Sequence, residues 1–386
     1  MIFDVCERGD ASPKKNQESD FEFLNRSARP EMSRVRDFIE SITGSYTLAE
    51  SKEIIARIKS GDDAHFKSAI FELVLHEALV RLGCTLTPHP ELENGSKSKP
   101  DFLVTTPNGE QFYLEAVLAS QVNEKDAGAE ARKGNVIDVL AKTPHENFML
   151  DVNCEGAPAT QPGVKKLVRD LMNWLDSLNP DEIIETFGKE GVEATPVYEW
   201  EYDGWFVSFR PIPLKPERRG KSKSLIGAVS TGGGIVDDWT PIRNAVKYKG
   251  SKYGELNKPL LVAVNLDSFH LDRIDEMQAL FGQERFVIAV DQPEQEPRFE
   301  RVPNGAWYGK SGPQYTRVSG LWIFNDLSAY NVGVRRSTIY FNPWAVFSLP
   351  EILKYFPHAS LNGKKMEWVE GASLSTLFGL KDGWPE

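Results

Sequence analysis

The chain has little cysteine. Cys6, Cys84 and Cys154 are the only three among 386 residues, widely spaced and without a CxxC pair. That count argues against a disulfide framework and a thiolate zinc site, and leaves reduced, structural thiols. Long apolar runs are also missing. The longest, such as Pro259 to Val264, has the length of a strand, and Met1 to Glu7 lacks the basic segment and apolar block of a signal peptide. A cytoplasmic location and no membrane partner are therefore expected. Excess positive charge is absent too: a formal net charge of −11 argues against a protein that coats nucleic acid nonspecifically, so any steering of a polyanion has to be local. The six histidines show no HExxH spacing, the run Thr231-Gly232-Gly233-Gly234 lacks the Gly-Lys-Ser/Thr ending of a P-loop, and Ser120, Ser208 and Ser230 lack a nucleophile-elbow context.

What is present suits a globular chain. A hydrophobic share of 40% over this length supports one large or two ordinary domains with real cores. Residues 1–30 are polar and read as a loosely ordered lead-in, residues 31–300 as an α/β domain, and residues 301–386 as a C-terminal extension packed on the core. Helical spacing is expected over 30–42, 48–59, 63–82, 163–178, 239–256 and 272–281. Strands are expected at 84–87, at the two runs flanking Pro107-Asn108-Gly109, and at 147–152, 204–211, 260–265, 285–290, 318–325 and 337–341. The fold class is α/β, a central mixed β-sheet flanked by helices with a C-terminal elaboration. No internal repeat is visible.

Three carboxylates fall on three successive predicted elements. Glu72 lies on a helix that is apolar on nearly every side, Asp101 follows Pro100 at a strand start, and Glu115 sits inside Phe112-Tyr113-Leu114-Glu115-Ala116-Val117. A buried carboxylate needs a metal, a cationic side chain or a shifted pKa. Acids on adjacent strands can converge on one hard cation, leaving positions for water and a phosphate oxygen, which is what phosphodiester hydrolysis requires.

The order Glu72, Pro100-Asp101 and Glu115-Ala116-Val117 resembles the PD-(D/E)XK (restriction endonuclease-like) nuclease superfamily over residues 60–120. The helix and strand of residues 239–265 match its α/β core by order and type. The resemblance implies a metal-dependent endonuclease acting on nucleic acid, DNA first, and by analogy a role in restriction or phage defence. It makes Asp101 and Glu115 ligands of Mg²⁺ or Mn²⁺, with the Ala116 carbonyl a further ligand and Glu72 an accessory ligand or water holder. Nucleic acid is the implied partner, and a homodimer is a second expectation.

The sequence departs from that pattern at Val117, where the lysine that orients the attacking water should stand. Lys249 is the first candidate to replace it, before Lys99 and Lys133, with Lys67, Lys247 and Lys252 also at hand. Lys249 and Tyr253 share a helix face at i and i+4, and resemble the Gln-xxx-Tyr helix of some single-strand-directed members with Lys in place of Gln. Gln121 could orient a water, and His76 could act as a base or pack in the core. Lys99, Arg218, Arg219, Lys221, Lys252 and Tyr253 are the expected nucleic-acid contacts; a solvated loop is the other reading of the Lys215–Lys223 cluster. Trp307, Tyr308, Trp322 and Trp344 could stack bases or fill the core. If no cation replaces the lysine, the same acids mark a noncatalytic nuclease-fold module that binds nucleic acid or a partner protein.

Overall fold

The computed structural model describes residues 1–15, 17–46, 48–120, 127–191, 194–231, 238–268, 271–287, 298–362 and 365–386. Four helices come first: α1 (Asp20–Arg26), α2 (Pro30–Thr43), α3 (Leu48–Ile58) and α4 (Asp63–Arg81). They are followed by β1 (Thr85–Pro88), β2 (Phe102–Thr105), β3 (Gln111–Ser120), α5 (Ala127–Ala141), β4 (Phe148–Gly156), α6 (Val164–Asp176) and α7 (Pro180–Glu190). The middle of the chain continues with β5 (Tyr198–Tyr202), β6 (Trp205–Pro213), β7 (Ile226–Thr231), α8 (Trp239–Lys252), β8 (Leu260–Asp267), α9 (Arg273–Phe281), β9 (Glu284–Val287) and β10 (Arg298–Arg301). It closes with β11 (Tyr308–Gly309), β12 (Gly312–Pro313), β13 (Val318–Asn325), β14 (Ser337–Phe341), β15 (His358–Asn362), β16 (Lys365–Val369) and α10 (Leu374–Phe378).

Two compact units result. The larger comprises Met1–Ser12, Ser19–Gln121 and Val236–Glu386; the smaller comprises Pro13–Glu18 and Val122–Ile235. The larger unit is a mixed α/β body around an eight-stranded sheet of order β1-β2-β3-β8-β13-β14-β15-β16. Strands β3, β8 and β13 run parallel, while β1 and β2 are antiparallel to their neighbours, as are the pairs β13–β14 and β15–β16. Alternation along the central strands divides the core. Leu114, Leu261, Ala263 and Trp322 pack with α4 on one face, whereas Tyr113, Val262, Val264 and Leu321 pack with α8 and α9 on the other.

Helix α4 begins where Asp62 accepts hydrogen bonds from the Ala64 and His65 amides, and the chain leaves it through Gly83 at φ +80°. Gly109, at φ +83°, makes the left-handed corner of the β2–β3 hairpin. The smaller unit is a four-stranded sheet, β5-β6-β4-β7, whose core residues Leu150, Val152, Val207 and Phe209 pack with Leu167, Leu171 and Leu175 of α6.

The boundaries differ from those expected. Residues 1–30 are not a loose lead-in: Ile2, Phe3 and Leu24 are buried in the main core, and α1 starts with a reciprocal capping box between Ser19 and Glu22. Residues 31–300 do not form one body, because the chain leaves the large sheet after β3 and returns to it at β8. The C-terminal residues are no extension on the surface, since β13, β14, β15 and β16 are half of the main sheet. Part of the strand expected at 285–290, residues 288–290, lies outside the described residues, as do Gln121 and Gly232–Gly234.

Candidate functional site

The β2–β3 register pairs Phe102 with Leu114, so one further step sets Asp101 across from Glu115. The Asp101 Oδ2 accepts the Ala116 N–H at 2.7 Å, which ties the start of β2 to the middle of β3 at the acids. Glu115 follows Tyr113 on the α8 side of the sheet and is only 1% exposed. Both its oxygens are met by donors from α8 and the residue that caps it: Lys249 Nζ on Oε1, Lys252 Nζ on the same oxygen at 3.4 Å, and the Tyr253 hydroxyl on Oε2. A buried carboxylate thus has two cations and a phenol.

Several features hold that end of α8 in place. Gly250 lies against β13 and the residues before it, where a Cβ would fall 2.9 Å from Tyr315 Cδ1 and 3.0 Å from Val318 Cγ2. The chain turns away at Gly254, φ +68°, and the Asn94 amide donates to the carbonyls of Tyr253 at 2.7 Å and Glu255 at 2.5 Å. Lys249 and Lys252 stand in the last turn, where the helix dipole favours positive charge.

The third acid is held differently. Glu72, buried on α4, accepts from both terminal nitrogens of Arg57 on α3 at 2.6 Å each. This fork stabilises the charged guanidinium, raising the proton affinity of Arg57, and the nearby Asp101 adds to the effect. Asp101 is the acid under stress. Burial, then repulsion from Glu115 and Glu72, pushes its carboxyl up to about 7, against the opposing pull of the Ala116 N–H and Lys249. Tyr253 is driven well above the ordinary phenol range by burial and by Glu115, so it stays protonated as a donor.

The fit to a hard cation differs from acid to acid. Oxygen donors of the right kind exist in Asp101, Glu115 and the Ala116 carbonyl, and Mg²⁺ needs only one or two carboxylates when water and phosphate complete its shell. The second oxygen of Asp101 makes no hydrogen bond among the described residues, and its raised proton affinity marks excess negative charge that a cation would relieve. Glu72, expected as an accessory ligand, is instead committed to Arg57 through both oxygens, and Glu115 would have to share its two oxygens with Lys249, Lys252 and Tyr253. Among the described residues, no three Asp, Glu, His or Cys side chains are gathered so as to hold a metal ion by themselves.

The other expected residues are placed as follows. Lys252 and Tyr253, expected at nucleic acid, turn inward to Glu115, and Tyr253 is buried. Lys99 pairs with Glu91 at 2.5 Å, and Lys67 with Asp267 at 3.3 Å. Arg218, Arg219 and Lys221 belong to the smaller unit, where Arg219 pairs with Asp181 and Lys221 donates to the Glu217 carbonyl. Lys133 is in that unit as well, on α5. His76 is buried, with its ring 4.1 Å from that of Tyr46 and 5.8 Å from that of Phe102, a packing role. Arg57 and Asn94 are the functional neighbours that sequence reasoning missed; neither stands at a motif spacing from the acids. Compared with known proteins, the chain matches no family model, no curated protein and no solved structure.

Proposed function

We propose that this chain is a metal-dependent nuclease of the PD-(D/E)XK type, hydrolysing phosphodiester bonds in nucleic acid, DNA foremost, with Lys249 serving where Val117 stands. The observation that carries this reading is the Lys249 ammonium on the buried Glu115 carboxylate, beside an Asp101 whose proton affinity is raised by its acidic neighbours. Asp101, Glu115 and the Ala116 carbonyl would hold Mg²⁺ or Mn²⁺, which would supply a water of lowered pKa and offset charge on the phosphorane. Lys249 orients the attacking water and keeps positive charge at the scissile phosphate. Tyr253 fixes Glu115 by donating to its other oxygen, and Asp101, to serve as a metal ligand, would release its proton to solvent. Arg57 pairs with Glu72 and offsets part of the negative charge that Glu72 places near Asp101.

The saturation of Glu115 by three donors favours a second reading, a noncatalytic module that binds nucleic acid. One experiment separates the two: cleavage of circular single-stranded and plasmid DNA with Mg²⁺, Mn²⁺ or EDTA, by the wild type, Asp101→Ala, Glu115→Ala and Lys249→Met. Metal-dependent cleavage lost in all three variants is the expected result. Binding without cleavage under every metal condition would leave only the second reading.

A further inference from the structure

On the α8 and α9 side of the large sheet, a cavity of about 770 Å³ opens between α9 and the last strands. Its walls are aromatic and thioether: Phe281, Tyr308, Trp344 and Trp368 with Met277 and Met366. The four aromatics named earlier divide sharply here. Trp307 and Trp322 are wholly buried, while Tyr308 is 40% exposed and its ring lies 5.5 Å from that of the partly buried Trp344. Tyr308 and Trp344 are thus the aromatic pair of the four that borders the cavity.

Cations line the rim. Arg301 and Lys365 border the cavity, and the Arg273 guanidinium lies 5.2 Å from the Trp368 ring. Arg301 pairs with Glu284 at 2.6 Å and Arg273 with Glu370 at 3.1 Å, both exposed carboxylates that a phosphate can displace at small cost. Lys365 is exposed and has no carboxylate partner among the described residues. Arg273, Arg301 and Lys365 outnumber Glu284, which also lines the cavity, and Glu370, so on a chain of net charge −11 the rim of this apolar pocket carries a local positive excess.

We infer that this cavity takes an unpaired nucleobase of a single-stranded nucleic acid, with the adjoining phosphate on Lys365 and Arg301. Aromatic rings accept any base by stacking, and only a base outside a duplex can enter a cavity lined by them. The sheet order sets β15 four strand steps from β3, roughly 19 Å at about 4.8 Å per step, and the cavity and Glu115 both lie on the side of the sheet that α8 and α9 cover. The inference rests on the nuclease reading and narrows its substrate to strands with unpaired bases.

The test measures binding of a fluorescent oligothymidylate of about twelve nucleotides, and of a duplex of equal length, to the full chain carrying Asp101→Asn, which removes one proposed ligand. The background chain should favour the single strand, and Trp344→Ala or Trp368→Ala should weaken it roughly tenfold. Lys365→Ala should lower the salt dependence by about one phosphate contact. Thermal melting shows whether each variant folds, and Trp344→Leu, which keeps apolar volume but loses the indole face, replaces Trp344→Ala if the latter unfolds. Equal binding by background and stacking variants overturns the inference, even if the wild type cleaves DNA. Stacking-dependent binding without cleavage supports the pocket and sinks the catalytic reading, whereas absence of binding to any nucleic acid overturns both. Self-association that disappears with Trp344→Ala would assign the patch to a second copy of the chain instead.

Discussion

Lys249 reaches Glu115 across 134 residues of sequence, from the last turn of α8 to the middle of β3. A lysine two residues after the acid would emerge from the same strand; here the ammonium arrives from the helix that covers it. Replacing Lys249 by Met should lower single-turnover cleavage on the order of a hundredfold or more, the scale of one lost electrostatic contact at a reacting phosphate. Lys252 and Tyr253 remain on Glu115, so the fold should lose no more than about 2 kcal/mol. Cleavage within twofold of the wild type would show that Lys249 only neutralises a buried acid.

Asp101 makes stability depend on pH in an unusual direction. Its carboxyl holds a proton up to about 7 in the folded chain, whereas an unfolded aspartate releases it near 4. Between those values the folded state binds more protons, so stability falls as pH rises through that window and the penalty is complete above it. Urea melts without divalent metal should find Asp101→Asn more stable than the wild type at pH 8, on the order of 2 kcal/mol, with the gap closing toward pH 4. Mg²⁺ competes with that proton, so it should raise the wild-type melting temperature more at pH 8 than at pH 5, and EDTA should reverse the gain. A wild-type-to-variant gap that is flat from pH 4 to 8 would rule out the shifted carboxyl.

The elements around this site were legible because their signals are local. Gly83 ends α4, Pro107-Asn108-Gly109 closes the β2–β3 hairpin, and the apolar run of β8 stands out. The sequence puts Lys249 first among several lysines, but no spacing rule links a helix to a strand so far back in the chain. The inserted unit was invisible for a related reason: β4 and β6 carry the same alternation as strands of the main sheet, and only the pairing of β3 with β8 shows that residues between them leave it. Residues 1–30 looked too polar to fold, yet Ile2, Phe3 and Leu24 bury enough apolar surface to anchor them. Strands β15 and β16 lack a continuous apolar run, and β16, at the sheet edge, alternates between exposed and half-buried residues.

The Arg57–Glu72 fork predicts opposite outcomes for its two partners. Arg57→Met leaves Glu72 buried without its cation and should destabilise the chain by about 3 kcal/mol, read from urea denaturation. Glu72→Gln removes the charge but keeps the shape, and should leave metal-dependent cleavage within about tenfold if Glu72 is structural. A complete loss of cleavage in Glu72→Gln, with the melting temperature unchanged, would restore it as a metal ligand.

Gly250 offers a test that touches none of the charged groups. Valine there improves intrinsic helix propensity by a few tenths of a kcal/mol over glycine. Its side chain must nevertheless enter space held by Tyr315 and Val318, a clash worth about 1–3 kcal/mol in a packed core. The clash outweighs the propensity, so Gly250→Val should be less stable despite being a better helix former. Because relief requires α8 to move away from β13, Lys249 should also lose its position on Glu115. Cleavage per folded molecule should therefore fall at least tenfold at a temperature where the variant remains fully folded. If stability drops while cleavage per folded molecule is unchanged, the placement of α8 does not set the position of the lysine that the proposed chemistry requires.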